Sequence, residues 1–209
     1  MIWIILILSV NIFAQNPYLD EFNDLPNSYK RIDVPLIDNG EHLLGDEFLN
    51  TRQELVNKYS WAVPTDEAID AIVKFSEWNG LIDFGAGSGY WSMLVAKKGI
   101  NVIAVDNWTA DKPELWFDVQ TGSYEYLKMA GGRVLFMCWI PQYTDMGLMA
   151  LKTWNGDKFI MVGEPAPARS NANPEFFEYL EANYSLVKMV DIPNWFNHND
   201  EVFFYERIK

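Results

Sequence analysis

A glycine run and a few ionisable side chains carry the chemistry that can be read in this chain. The run is Leu81-Ile82-Asp83-Phe84-Gly85-Ala86-Gly87-Ser88-Gly89-Tyr90-Trp91. It reads as a short apolar strand entering a glycine-rich turn and then a helix. Glycines there allow positive φ and let a ligand lie close to the main chain. Asp83, at the strand's end, is placed to turn its carboxylate back toward the loop. Asn101 to Asp106 reads as a second buried strand ending in an acid. A carboxylate at that point accepts hydrogen bonds from ribose hydroxyls. Glu164 closes a later strand. It is either a base or acceptor anchor, or a structural carboxylate that pairs with Arg169 or caps the next loop. His198 has the unperturbed pKa of a general base, or is simply solvated at the tip of a turn. Trp139 and Trp195 either wall a pocket for a flat or cationic molecule or belong to the core.

Spacing narrows the choice of ligand. A dinucleotide fingerprint is Gly-x-Gly-x-x-Gly, with the third glycine on the helix. Counting from Gly85 or from Gly87, that third position is Tyr90 or Ser92. No Gly-Lys-Ser/Thr follows, so a P-loop is excluded as well. A plain strand-to-helix turn is the remaining alternative. Asp106, at the end of the next strand, argues against it.

The pattern Asp83-x-Gly85-x-Gly87-x-Gly89 resembles the cofactor loop of the Rossmann-like (class I) methyltransferases, which use S-adenosylmethionine. The resemblance implies that Asp83 helps organise the loop and the methionine ammonium group. It implies that Gly85, Ala86, Gly87 and Gly89 lie along the cofactor and that Asp106 meets the adenosine ribose. A polar residue in that family meets the adenine, and Ser123 stands at the corresponding point; Trp139 joins the cofactor-binding set. Amino-group methyltransferases acting on adenine or cytosine carry Asp/Asn/Ser-Pro-Pro-aromatic after the fourth strand. Here the stretch is Trp139-Ile140-Pro141-Gln142-Tyr143, with Trp in place of the acid or amide and only the second proline kept. Together with Trp61-Ala62-Val63-Pro64 and Val162-Gly163-Glu164, it is similar instead to small methyltransferase-like proteins with Trp-Ala-x-Pro and Trp-x-Pro segments. The implied activity is methyl transfer to a small molecule or protein side chain, with Glu164 and His198 as candidate catalytic residues. The alternative is a non-catalytic domain of the same fold that binds the nucleoside or a partner protein.

Composition sets outer bounds. The chain has 209 residues, 49% of them hydrophobic, which suits one well-buried domain. Its formal net charge is −13, and no Lys/Arg cluster stands out. The expectation is against a nucleic-acid partner. An acidic field favours a cation such as a sulfonium, or simply serves solubility. A single cysteine, Cys138, rules out an internal disulfide and a cysteine-built zinc site. With only His42 and His198 as histidines, no metal is expected.

The first residues, MIWIILILSVNIFA, are apolar but short for a bilayer span. They look like the apolar part of a secretory signal cut after Ala14, or like a buried start. S-adenosylmethionine is a cytosolic metabolite, so the expected location is cytoplasmic, with secretion the alternative if this segment is cleaved.

The elements that must position these residues follow from periodicity. Residues 1–58 read as an N-terminal extension, irregular apart from one helix over about Gly45 to Lys58, with Phe48, Leu49, Leu55 and Val56 on one face. Residues 59–209 read as the methyltransferase-like domain. Thr65 N-caps a helix that ends near Asn79-Gly80. The resemblance implies that Trp61 to Thr65 lies over the cofactor end of the sheet; the alternative is a plain helix-entry segment. Further strands are expected at 117–120, 133–139, 158–162, 186–192 and 201–208, with helices at 90–98, 144–154 and 174–184. The expected fold is α/β, Rossmann-like and doubly wound: a mostly parallel seven-stranded sheet with a C-terminal antiparallel hairpin strand.

Overall fold

The computed structural model describes residues 16–31, 45–107, 114–165 and 171–209. Residues 1–14, His42 and Arg169 lie outside these.

The strands are β1 (Leu81–Phe84), β2 (Val102–Asp106), β3 (Val119–Thr121), β4 (Val134–Cys138), β5 (Lys158–Gly163), β6 (Tyr184–Asp191) and β7 (Glu201–Arg207). They form one sheet in the order β3-β2-β1-β4-β5-β7-β6. The pairs β1 to β2, β1 to β4, β2 to β3 and β4 to β5 are parallel. Only β7 runs against its neighbours, inserted between β5 and β6. The chain winds outward from β1 to β3, then restarts on the other side of β1 with β4. That reversal makes the carboxyl end of β1 the switch point, where a crevice opens beyond the strand ends.

Strand alternation divides the core into two faces. Leu81, Val134, Phe136, Ile160, Val162, Val202 and Phe204 face one side. Ile82, Phe84, Leu135, Met137, Phe159, Met161 and Phe203 face the other. Both faces are covered, which is why β4 reads as an unbroken apolar run rather than an alternating one. The first face is covered by α1 (Pro17–Asp24), α2 (Asp46–Lys58), α3 (Asp66–Ser76) and α4 (Tyr90–Lys97). The second carries α5 (Glu125–Lys128), α6 (Met146–Thr153) and α7 (Pro174–Asn183). Among the described residues, no helix is long and apolar enough to cross a membrane.

Helix starts follow their caps. The Thr65 side chain accepts from Ala68 N at 3.1 Å, with Asp66 and Glu67 in the first turn. Asn173 caps α7 by accepting from Phe176 N at 3.0 Å, and Pro174 fills the first turn. Each such cap is worth about 1 kcal/mol.

The N-terminal stretch differs from the expectation. It holds a second helix, α1, started by the Asn16 side chain and Pro17, and a short 3-10 turn at Asn27–Tyr29. Tyr18 and Phe22, four apart, sink into the first core face. The cue was the Asn-Pro pair ahead of two aromatics one turn apart. In α2, Phe48, Leu55 and Val56 are buried as expected, but Leu49 is half exposed. The short edge strand lies two residues later than its expected start. Trp195 is a core residue and no pocket wall: it is buried edge-on to Phe22 and donates to the Tyr18 hydroxyl at 3.1 Å.

Candidate active site

The glycine run leaves β1 at the switch point. Gly85, Gly87 and Gly89 sit at φ 83°, 59° and 75°, a region that side chains with a Cβ avoid. Main-chain bonds fix the loop: Gly85 N and Ala86 N donate to Val105 O, and Gly89 N donates to Ala86 O. The Gly87 N–H donates to Asp106 Oδ2 at 2.8 Å. The glycines differ in purpose. A Cβ on Gly89 would lie 2.8 Å from both Phe117 Cβ and Val119 Cγ2, so packing demands that glycine. At Gly85 a Cβ would meet only the mobile end of Met146, at 2.7 Å.

This is a class I methyltransferase-like fold. The decisive features are the sheet order, with its lone antiparallel strand inside the edge, and a glycine loop at the reversal.

Asp83 faces α4 behind the loop and is 1% exposed. Its Oδ2 accepts from the Ser92 hydroxyl at 2.6 Å, while Oδ1 is buried without a partner. Burial pushes this carboxyl up to about 7; the Ser92 hydroxyl works against that, and Asp106 adds to it. Ser123 begins the turn after β3, where the preceding Gly122 N donates to Asp106 O at 3.2 Å. The turn therefore stands beside the end of β2. Ser123's own N–H is used by Glu125 Oε1 at 2.8 Å.

Across the crevice a second group forms at the ends of β4, β5 and β7. Trp139 leaves β4 with φ 52°, a strained position for a residue with a side chain. Its N–H donates to Val162 O at 2.9 Å, and the next residue's carbonyl accepts from Ala172 N at 2.7 Å. These bonds hold the bend. The Trp139 ring stacks on Trp61 at 5.3 Å and 24°, so the Trp61 to Thr65 segment does reach over this rim. His198 meets Trp139 edge-on at 5.3 Å. The Arg52 guanidinium lies 5.2 Å from the other ring, that of Trp61.

His198 is not solvated at a tip: its side chain is 20% exposed and its Nδ1 lies 3.2 Å from Glu164 Oε1. The same oxygen accepts from Asn199 N at 3.1 Å. Glu164 is 3% exposed, and its Oε2 is buried without a partner. Burial, helped by Arg52, holds His198 below 6.5; Glu164 pulls the other way. Asp200, 1% exposed, completes the group. Its backbone N–H is held by Asn194 Oδ1. Burial pushes the Asp200 carboxyl up to about 7, with Glu164 adding to the rise and Trp139 and Arg52 opposing it. The Trp139 indole N–H favours the charged form without closing a full hydrogen bond. Trp139 Nε1 and Asp200 Oδ1 are both buried and unpartnered.

The structure thus sorts the expected residues into two sets. Gly85, Ala86, Gly87, Gly89, Asp106 and Ser123 gather on one rim, with Asp83 buried behind the loop. Trp139, Glu164 and His198 form the other. Arg52 and Asp200 were missed. Asp200 had a cue in the hairpin register: Gly163 pairs with Glu201, so Glu164 and Asp200 emerge together past the last ladder pair. Arg52 had none, since its position depends on how α2 packs. Among the described residues, no group of His, Cys, Asp and Glu has the make-up of a metal site.

No protein-family model matches the chain, and no curated protein matches it. Solved structures do. The magnesium protoporphyrin IX methyltransferase ChlM from Synechocystis PCC 6803, with bound SAM, is 13% identical at a TM-score of 0.48, covering 81% of this chain and 87% of that one. TehB from Haemophilus influenzae is 12% identical at 0.47, covering 75% and 67%. The ribosomal protein L11 methylase from Lactobacillus delbrueckii subsp. bulgaricus is 15% identical at 0.44, covering 71% and 82%. At such identities nothing passes to this chain about an acceptor, and the charge-based expectation against nucleic acid gains no support.

Proposed function

We propose that this chain is an S-adenosylmethionine-dependent methyltransferase, with the donor on the glycine rim and the acceptor against Trp139, Glu164 and His198. One observation carries the reading. A bare main-chain bend at the switch point has its Gly87 N–H set on the Asp106 carboxylate. The residues present fit the donor. The loop offers main chain without side chains, Asp106 stands at the position suited to a ribose diol, and Asp83 keeps a buried oxygen without a donor beside the loop. When bound, the donor supplies a methyl group already activated on a sulfonium.

The chain's own residues then have modest tasks: exclude water, align the acceptor and take its proton. Glu164 Oε1 favours the His198 tautomer with hydrogen on Nδ1, an assignment that rests on this contact. That leaves the Nε2 lone pair to receive the acceptor's proton, and burial keeps the ring neutral and ready for it. A cytoplasmic location goes with the donor's supply.

Isothermal titration tests the reading. S-adenosylmethionine and its demethylated product should both bind, and Gly87→Val should remove that binding. Absence of heat with either compound for the folded wild type overturns the proposal. Binding without a methylated product in cell extract would favour the non-catalytic alternative.

A further inference from the structure

We propose that the acceptor subsite takes an amine as its ammonium, received by the buried oxygens of Glu164 and Asp200 beside Trp139. The word acceptor rests on the methyltransferase reading; the ammonium site itself rests on geometry. Glu164 leaves β5 and Asp200 enters β7, just beyond the paired residues Gly163 and Glu201. The two carboxyl groups are therefore neighbours, close enough for Glu164 to act on the Asp200 carboxyl. Both residues are at least 97% buried, yet Glu164 Oε2 and Asp200 Oδ1 have no donor. Glu164 divides its work, with Oε1 on Asn199 N and His198 Nδ1 and Oε2 left over.

Buried carboxyl oxygens without donors are costly, by several kcal/mol for a charge. A partner with several N–H donors and a positive charge relieves that cost most. A hydroxyl brings one donor and no charge, a ketone brings neither, and a carboxylate adds repulsion. Among the described residues, the cation beside this group, Arg52, does not fill the role. Arg52 lies on the face of Trp61, its Nε is buried without a partner, and no ion pair joins it to either acid. Trp61 stacks on Trp139 and also carries Arg52 over its ring, so the indoles form a wall engaged by the chain's own groups rather than a cage around a ligand. Discrimination of charge falls to the carboxyl groups. Trp61 itself stays 40% exposed and marks the open side of the wall.

The test uses the full chain saturated with the demethylated donor, titrated with benzylamine, benzyl alcohol and benzoate. These share one ring and differ in donor count and charge. Benzylamine should bind about tenfold or more tightly than benzyl alcohol, about 1.4 kcal/mol, and benzoate should not bind. Glu164→Gln and Asp200→Asn should each weaken benzylamine about tenfold and leave donor affinity unchanged, which shows that the variants are folded. Equal affinities, tightest binding by benzoate at Arg52, no binding of any probe, or unchanged benzylamine affinity in both variants would each overturn the proposal. If the amine is selected but neither donor form binds, the ammonium site stands and the methyltransferase reading falls.

Discussion

The two rims of the crevice are built in opposite ways. The donor rim comes mostly from one continuous stretch, β1 to β2, with Ser123 added from the turn after β3, and is held mostly by main-chain hydrogen bonds. The acceptor rim brings together residues 52, 61, 139, 164, 198 and 200, held by ring stacking and a buried Glu-His contact. Main-chain geometry at a glycine loop leaves few substitutions open. Side chains from separate elements can change one at a time. A fixed donor site beside a changeable acceptor site is what a fold needs to keep one cofactor and vary the molecule it modifies.

Substitutions on each rim test that contrast. Asp106→Ala should have the largest effect, removing measurable donor affinity in titration while the acceptor-side probes still bind. His198→Gln should cut turnover about 100-fold, the usual scale for a lost general base, and leave donor affinity intact. Gly89→Ala should act on stability, lowering the thermal midpoint by the equivalent of about 2 kcal/mol, because its Cβ has no room at φ 75°.

A pH series separates the rims more finely. Asp83 and Asp200 both have folded pKa values of about 7 against an ordinary 3.8. Raised values mean that the folded state holds protons the unfolded chain has released. Their contribution is therefore fully present below pH 4 and is lost as pH rises through 7. His198, held below 6.5, contributes in the other sense, and its share is lost as pH falls through its folded value. Thermal melts of the unliganded protein from pH 4 to 8 should flatten in Asp83→Asn and in Asp200→Asn. Trp61→Ala is expected to be the mildest change. It should cost about 1 kcal/mol of stacking and show mainly as weaker acceptor binding.

What the sequence disclosed follows the same division. Apolar runs at β4 and β5, the cap at Thr65 and the proline at the start of α7 are local signals, and those elements stand within about two residues of expectation. The glycine loop and Asp106 lie on adjacent strands, so their meeting could be read from spacing. Glu164 and His198 were each visible, but their contact depends on where β7 inserts, a choice made by the whole sheet. Trp139 and Trp195 looked alike as letters. One is bent outward by a positive φ and the other is locked under Phe22. Arg52 belongs to a helix whose role shows only once it packs over the rim.

The Ser88 hydroxyl donates to the Tyr59 carbonyl, and Tyr90, first in α4, donates to Asn16 Oδ1 and accepts from Tyr18 N. The glycine bend is thus moored to chain that precedes the sheet. Cutting the protein back to residues 59–209 would keep the Ser88 bond but remove both partners of the Tyr90 hydroxyl, and would lay bare Tyr59, Tyr90 and Trp195, all now packed against the first helix or its flank. The trimmed product is expected to be a sticky, aggregation-prone fragment rather than a smaller copy of the same fold.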